Sequence, residues 1–187
     1  MSRRAAASFA ASLLAAAALR AQAAPPTPRP TLPAPPPAKN SKTAPLDFSG
    51  VWEIDLEKSK GVSTSMKRAV LSIRQNGGRL WIEPIEQPRP YLSAEEIVVD
   101  GKLYEKAIGR GDKGTVQAQW ATDRKSLWIQ TVTSNAEGAE VAFQRSQWTL
   151  SEKGTVWTRH TWTIQKGNNR ESILVFRKRP GAPPHEP

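Results

Sequence analysis

Between Phe48 and Lys178 apolar and polar residues alternate in short runs, and no stretch long enough for a helix repeats with a helical period. Alternation puts successive side chains on opposite faces of an extended chain, so each run reads as a strand with one buried face. The pattern predicts strands near 48–55, 67–75, 79–85, 95–100, 103–108, 115–121, 126–133, 140–150, 155–165 and 171–178. The joints are chemically explicit. Asn76-Gly77-Gly78 and Asp100-Gly101-Lys102 supply residues that accept positive φ in tight hairpins. Ser151-Glu152-Lys153-Gly154-Thr155 fits a type I turn followed by a glycine bulge. Short strands joined in sequence by tight turns make an antiparallel up-and-down meander. A meander of about 8–10 strands has to curl and close to hide its edges, which predicts an all-β barrel.

Three hairpins share one design, their second strands opening Leu80-Trp81-Ile82, Leu127-Trp128-Ile129 and Val156-Trp157-Thr158. Aligned on the tryptophan, they place Leu80, Ile82, Leu127, Ile129, Val156 and Ile164 inside, with His160 and Trp162 among them. Trp81, Trp128 and Trp157 then lie outside. Two readings of these outer indoles stay open: a platform that stacks on sugar rings or anchors a protein, or large β-favouring side chains that shield backbone. The interior has two readings as well. Gln144, Ser146, Trp148, His160 and Trp162 could line a ligand pocket with an aromatic wall and a few hydrogen-bonding groups, or could pack as filled core.

The two ends differ from this middle. Arg3 and Arg4 precede an alanine-rich apolar run from Ala5 to Leu19, and Ala21-Gln22-Ala23 offers small residues where a signal peptidase cuts. Residues 1–23 read as a cleavable signal peptide cut near Ala23, with an apolar run too short to span a bilayer. Residues 24–45 are proline-rich; proline fixes φ and removes donors, so they predict a disordered, semi-rigid tether. The domain itself covers 46–179, and Pro180-Gly181-Ala182-Pro183-Pro184 begins a disordered tail over 180–187. The expected location is the periplasm or the cell exterior, with no membrane-spanning segment. The chain has no cysteine, so the domain has to be stable on its core alone.

The net charge of +10 overstates how basic the domain is. Six of the 27 basic residues precede Pro45, and residues 46–180 carry 21 basic against 16 acidic side chains, interspersed rather than striped. With no nucleic-acid motif and an exported destination, nucleic acid is not an expected partner. Catalytic chemistry is equally sparse. His160 is the domain's one histidine, unaccompanied by closely spaced carboxylates or cysteines, so no metal, cofactor or catalytic residue is expected. Gly109-Arg110-Gly111-Asp112-Lys113-Gly114 has the spacing of a phosphate loop. The loop runs into Thr115-Val116-Gln117-Ala118, a strand, where phosphate binding needs the start of a helix.

The opening strand, Asp47-Phe48-Ser49-Gly50-Val51-Trp52, carries Phe-x-Gly-x-Trp and resembles the first-strand motif of the lipocalin and wider calycin β-barrels. The resemblance implies that Gly50 lets the chain pass closely at the closed end of the barrel. It also implies that Trp52 plugs that end beneath a basic residue of the last strand, here Arg177. Phe48, Gly50, Trp52 and Arg177 are the barrel-closing set on this view. The following Asp55-Leu56-Glu57-Lys58-Ser59-Lys60 resembles more narrowly a group of exported bacterial proteins that open with Ser-Gly-x-Trp and a Glu-Lys-Ser segment. The likeness runs loosely over residues 46–179 and implies a small apolar or amphipathic ligand inside a lipocalin-like barrel. The expectation is an exported, non-enzymatic binding protein. Its alternative is a cell-envelope module that grips a polymer or protein through surface tryptophans.

Overall fold

The computed structural model of the chain describes residues 44–86, 93–109, 112–151 and 153–181. The predicted signal peptide, the tether up to Thr43, the loop residues Arg110 and Gly111, and the tail beyond Gly181 lie outside the described residues. The ten strands are β1 (Gly50–Ile54), β2 (Val70–Asn76), β3 (Arg79–Glu86), β4 (Glu95–Val98), β5 (Leu103–Gly109), β6 (Asp112–Trp120), β7 (Leu127–Ser134), β8 (Glu140–Leu150), β9 (Val156–Gln165) and β10 (Asn168–Lys178). Each overlaps a run of alternating residues in the sequence.

All ten belong to one antiparallel sheet in the order β4-β3-β2-β1-β10-β9-β8-β7-β6-β5. Neighbours are consecutive hairpins except at one place, where the first strand pairs with the last, Trp52 opposite Lys178. That pairing throws β4 and β5, consecutive in the chain, to the two edges. The sheet curls until those edges meet again. Val99 bridges Ala118, the Gly101 N–H donates to the Ala118 carbonyl at 2.9 Å, and Lys106 Nζ reaches the Glu95 carboxylate at 2.6 Å. Among the described residues no ladder joins β4 to β5, so the barrel has a seam. The predicted meander and its closure are both present.

Faces follow alternation, with one strand reversed from expectation. Leu80, Leu127 and Ile129 are buried in the core, while Trp81 and Trp128 stand half-buried on the outer face. On β9, Trp157 is fully buried, and Arg159 and Thr161 follow it inward; Val156, His160, Trp162 and Ile164 face out. The turn explains the reversal. The Ser151 N–H donates to the Val156 carbonyl just as the Ala121 N–H donates to the Ser126 carbonyl in the β6–β7 hairpin. Trp157 pairs with Leu150 as Leu127 pairs with Trp120, so Trp157 takes the place of Leu127 rather than of Trp128. Placing His160 and Trp162 inside is therefore corrected, as is placing Trp157 outside.

One end of the barrel is plugged by aromatic rings. Trp157 stacks on Phe176 at 4.3 Å between centroids, tilts against Trp148 at 4.8 Å, and meets Phe48 and Trp52 edge-on. Phe48 also stacks on Trp120 at 6.2 Å. Such pairs contribute about 0.5–1.5 kcal/mol each beyond their area, which suits a core without disulfides. The Trp52 indole donates to the Phe48 carbonyl at 2.7 Å, and Gly50 sits between them at φ +134°. A side chain at Gly50 would run into Lys178, whose ammonium lies 5.5 Å from the Trp52 ring centroid. Lys178, not Arg177, is thus the cation over the plug. Register decides it: Lys178 lies opposite Trp52, whereas Arg177 lies opposite the exposed Glu53 and turns outward to Asp55 at 2.7 Å.

Candidate functional site

Beyond the plug the barrel keeps a small interior cavity. Its volume is about 80 Å³, well below the roughly 300–1,000 Å³ of drug-sized pockets and enough for a few waters or one small molecule. Leu71 from β2, Ile82 from β3, Ile97 from β4 and Ile129 from β7 form an apolar wall. Opposite stand Gln144, Ser146 and Trp148 from β8 and Trp157 and Arg159 from β9, with Thr131 from β7 and Glu95 from β4. The strands present these side chains because every second residue of each faces inward.

The polar side of this cavity is unevenly satisfied. Ser146 and Thr161, both buried, hydrogen-bond each other at 2.9 Å. The Glu95 carboxylate is held at the seam by Lys106. Among the described residues three buried N–H donors have no partner: Arg159 Nε, Trp148 Nε1 and Trp157 Nε1. All three belong to residues that line the cavity. The Arg159 guanidinium lies 5.7 Å from the Trp148 ring centroid. Burial pushes it below its ordinary value, and the negative charge of Glu95 pulls the other way. A buried donor left unmade costs about 1–3 kcal/mol, so a cavity edged by three of them favours any occupant that supplies acceptor oxygens.

Of the residues singled out from sequence, Gln144, Ser146 and Trp148 line this cavity. His160 and Trp162 do not; they pack against each other at 3.9 Å on the outer face, where His160 Nε2 meets the Glu171 carboxylate. Trp81 sits on β3 beneath Arg74, far around the sheet from Trp128 on β7, and Trp157 is core, so the three indoles form no common platform. Sequence reasoning missed Arg159. Its signal was position, two residues beyond Trp157 on the same face, and it was hidden by the reversed reading of β9. The site also touches the seam. Ile97 lines both the interior cavity and a cleft outside it, which runs between β4 and β5 past Tyr104 and Lys106.

No known protein family and no curated protein matches the chain. Two solved structures are similar to it. One is the zebrafish ileal bile acid-binding protein complexed with cholic acid, at 15% identity and a TM-score of 0.45, covering 71% of this chain and 98% of that one. The other is secretory abundant heat soluble protein 4 from Ramazzottius varieornatus, at 9% identity and a TM-score of 0.47, covering 74% of this chain and 99% of that one.

Proposed function

We propose that the chain is a non-enzymatic binding protein whose barrel holds a small amphipathic anion, with a carboxylate or similar oxyanion at Arg159 and an apolar body against Leu71, Ile82, Ile97 and Ile129. The observation that carries this reading is the coincidence of three unpartnered buried donors with one interior cavity. An oxyanion satisfies donors that no protein group reaches, and a charge-assisted hydrogen bond to a guanidinium is among the stronger contacts available. An uncharged apolar ligand would leave all three unmade. Water alone would satisfy them, but it would make no use of the apolar wall.

Two further parts of the reading rest on sequence. Residues 1–23 have the three-part pattern of a signal peptide, which supports export to the periplasm or beyond. Binding is favoured over catalysis because His160 points away from the cavity and is engaged by Glu171.

The test is isothermal titration of the full chain with butyrate and with butanol, small enough for the cavity. Butyrate is expected to bind at least about tenfold more tightly, the equivalent of one charge-assisted hydrogen bond. Arg159→Met, which keeps the bulk and removes the charge, is expected to abolish that preference. Equal affinity for acid and alcohol, or no binding of either, refutes the assignment.

A further inference from the structure

The interior cavity holds a carboxylate and a guanidinium that do not meet. Glu95 on β4 and Arg159 on β9 both line it, and its volume of about 80 Å³ leaves room for only a few waters between its walls. Among the described residues Arg159 Nε has no partner, while the Glu95 carboxylate turns to the seam and accepts from Lys106 Nζ at 2.6 Å. Burial holds the guanidinium below its ordinary value, and the negative charge of Glu95 acts against that from within the same space.

The two cations open to Glu95 differ in kind. Lys106 on β5 reaches it across the seam from the wall of the outer cleft, and the two side chains are 41% and 38% exposed. An ion pair so wet is weak and screened by salt. A buried guanidinium with an unmade donor attracts more strongly, but meeting it costs the carboxylate its remaining water. The choice turns on small differences, and side-chain rotation alone separates the two arrangements.

We propose that Glu95 is the cavity's own competing anion and that Lys106 holds it off Arg159, so that this pair decides whether the guanidinium is open to a ligand. The inference rests on Arg159 being the ligand's anion seat. With Lys106 engaged, the buried donors stay unmade and an oxyanion takes them. With Lys106 removed, or drawn off by an anion in the cleft, Glu95 turns inward, pairs with Arg159 and fills part of the small cavity. Lys106 stands on the outside and Arg159 within, so an event at the surface controls access to the interior site.

The experiment compares the full chain with Lys106→Met, Glu95→Met and the double variant. All are labelled with nitrogen-15 and followed by the Nε–H resonance of Arg159, which Arg159→Met identifies by its loss. Without any ligand, Lys106→Met is expected to move this resonance to the lower field of a hydrogen-bonded proton. Glu95→Met alone leaves it in place, and the double variant returns it. Butyrate is then titrated: Lys106→Met is expected to bind it at least about tenfold more weakly than the parent, and Glu95→Met and the double variant at least as tightly. The proposal is overturned if the resonance stays put in Lys106→Met, if it stays moved in the double variant, or if Glu95→Met binds butyrate more weakly than the parent. A parent that binds no butyrate refutes Arg159 as a ligand seat, and the resonance still decides what Lys106 does to Glu95.

Discussion

Replacing Gly50 by alanine tests the closed end of the barrel most directly. Gly50 sits at φ +134°, a conformation that side chains rarely adopt, and holding a non-glycine residue there costs about 1–3 kcal/mol. The new methyl also meets Lys178, but at the far end of a flexible side chain that can swing aside. The steric part is therefore cheap, limited to losing the Lys178 contact with Trp52, about 0.5–1 kcal/mol. Together the two effects predict a loss of roughly 1.5–4 kcal/mol, most of it from the backbone. Urea unfolding followed by tryptophan fluorescence measures it, and Lys178→Ala separates the two causes. If the backbone dominates, Gly50→Ala still costs about 1–3 kcal/mol in the Lys178→Ala background. If it becomes neutral there, contact with the lysine was the whole effect, and the reasoning from φ is refuted.

Trp157→Ala removes the ring at the centre of the plug and is expected to cost about 3–5 kcal/mol, against about 1 kcal/mol for Trp128→Ala on the outer face; comparable losses in urea titrations of the two variants would contradict the inward assignment of β9. Acid stability should depend on Asp55. Burial opposes ionisation of this carboxyl, but hydrogen bonds from Arg177 and the Lys58 backbone outweigh it and hold the folded value below the ordinary 3.8. The contribution is fully present above that ordinary value and is lost as pH falls through the lower folded one. Asp55→Asn should accordingly flatten the acid limb of a melting-temperature profile, and parallel profiles for variant and parent would sink the claim.

What the sequence made legible is whatever short-range chemistry decides. Alternation and glycine turns act within a few residues, and they located all ten strands. Which face a strand presents is a different quantity, because one residue more or less in a turn inverts every side chain after it. Val156-Trp157 looks like Leu127-Trp128, yet the hairpin closes one residue later, and that exchanged Arg159 and Thr161 for His160 and Trp162 in the interior. Arg177-Lys178-Arg179 posed the same difficulty. All three are basic, and only the pairing of β10 with β1 selects Lys178 for the Trp52 ring and sends Arg179 to Glu53 and Glu86. The cavity was illegible for a further reason: empty volume is set by how ten strands curl together, which no local pattern encodes.

The pairing of the first strand with the last also fixes an order of events. A chain that emerges N-terminus first presents β1 long before β10, and Trp52 waits for Phe176 and Lys178 to arrive from the far end. Until then the hairpins can form singly, but the ring of strands has a gap at its origin and the aromatic plug has no lid. Contacts so distant in sequence make folding slow and late. The barrel therefore closes only once β10, the last of its strands, is free to pair with β1.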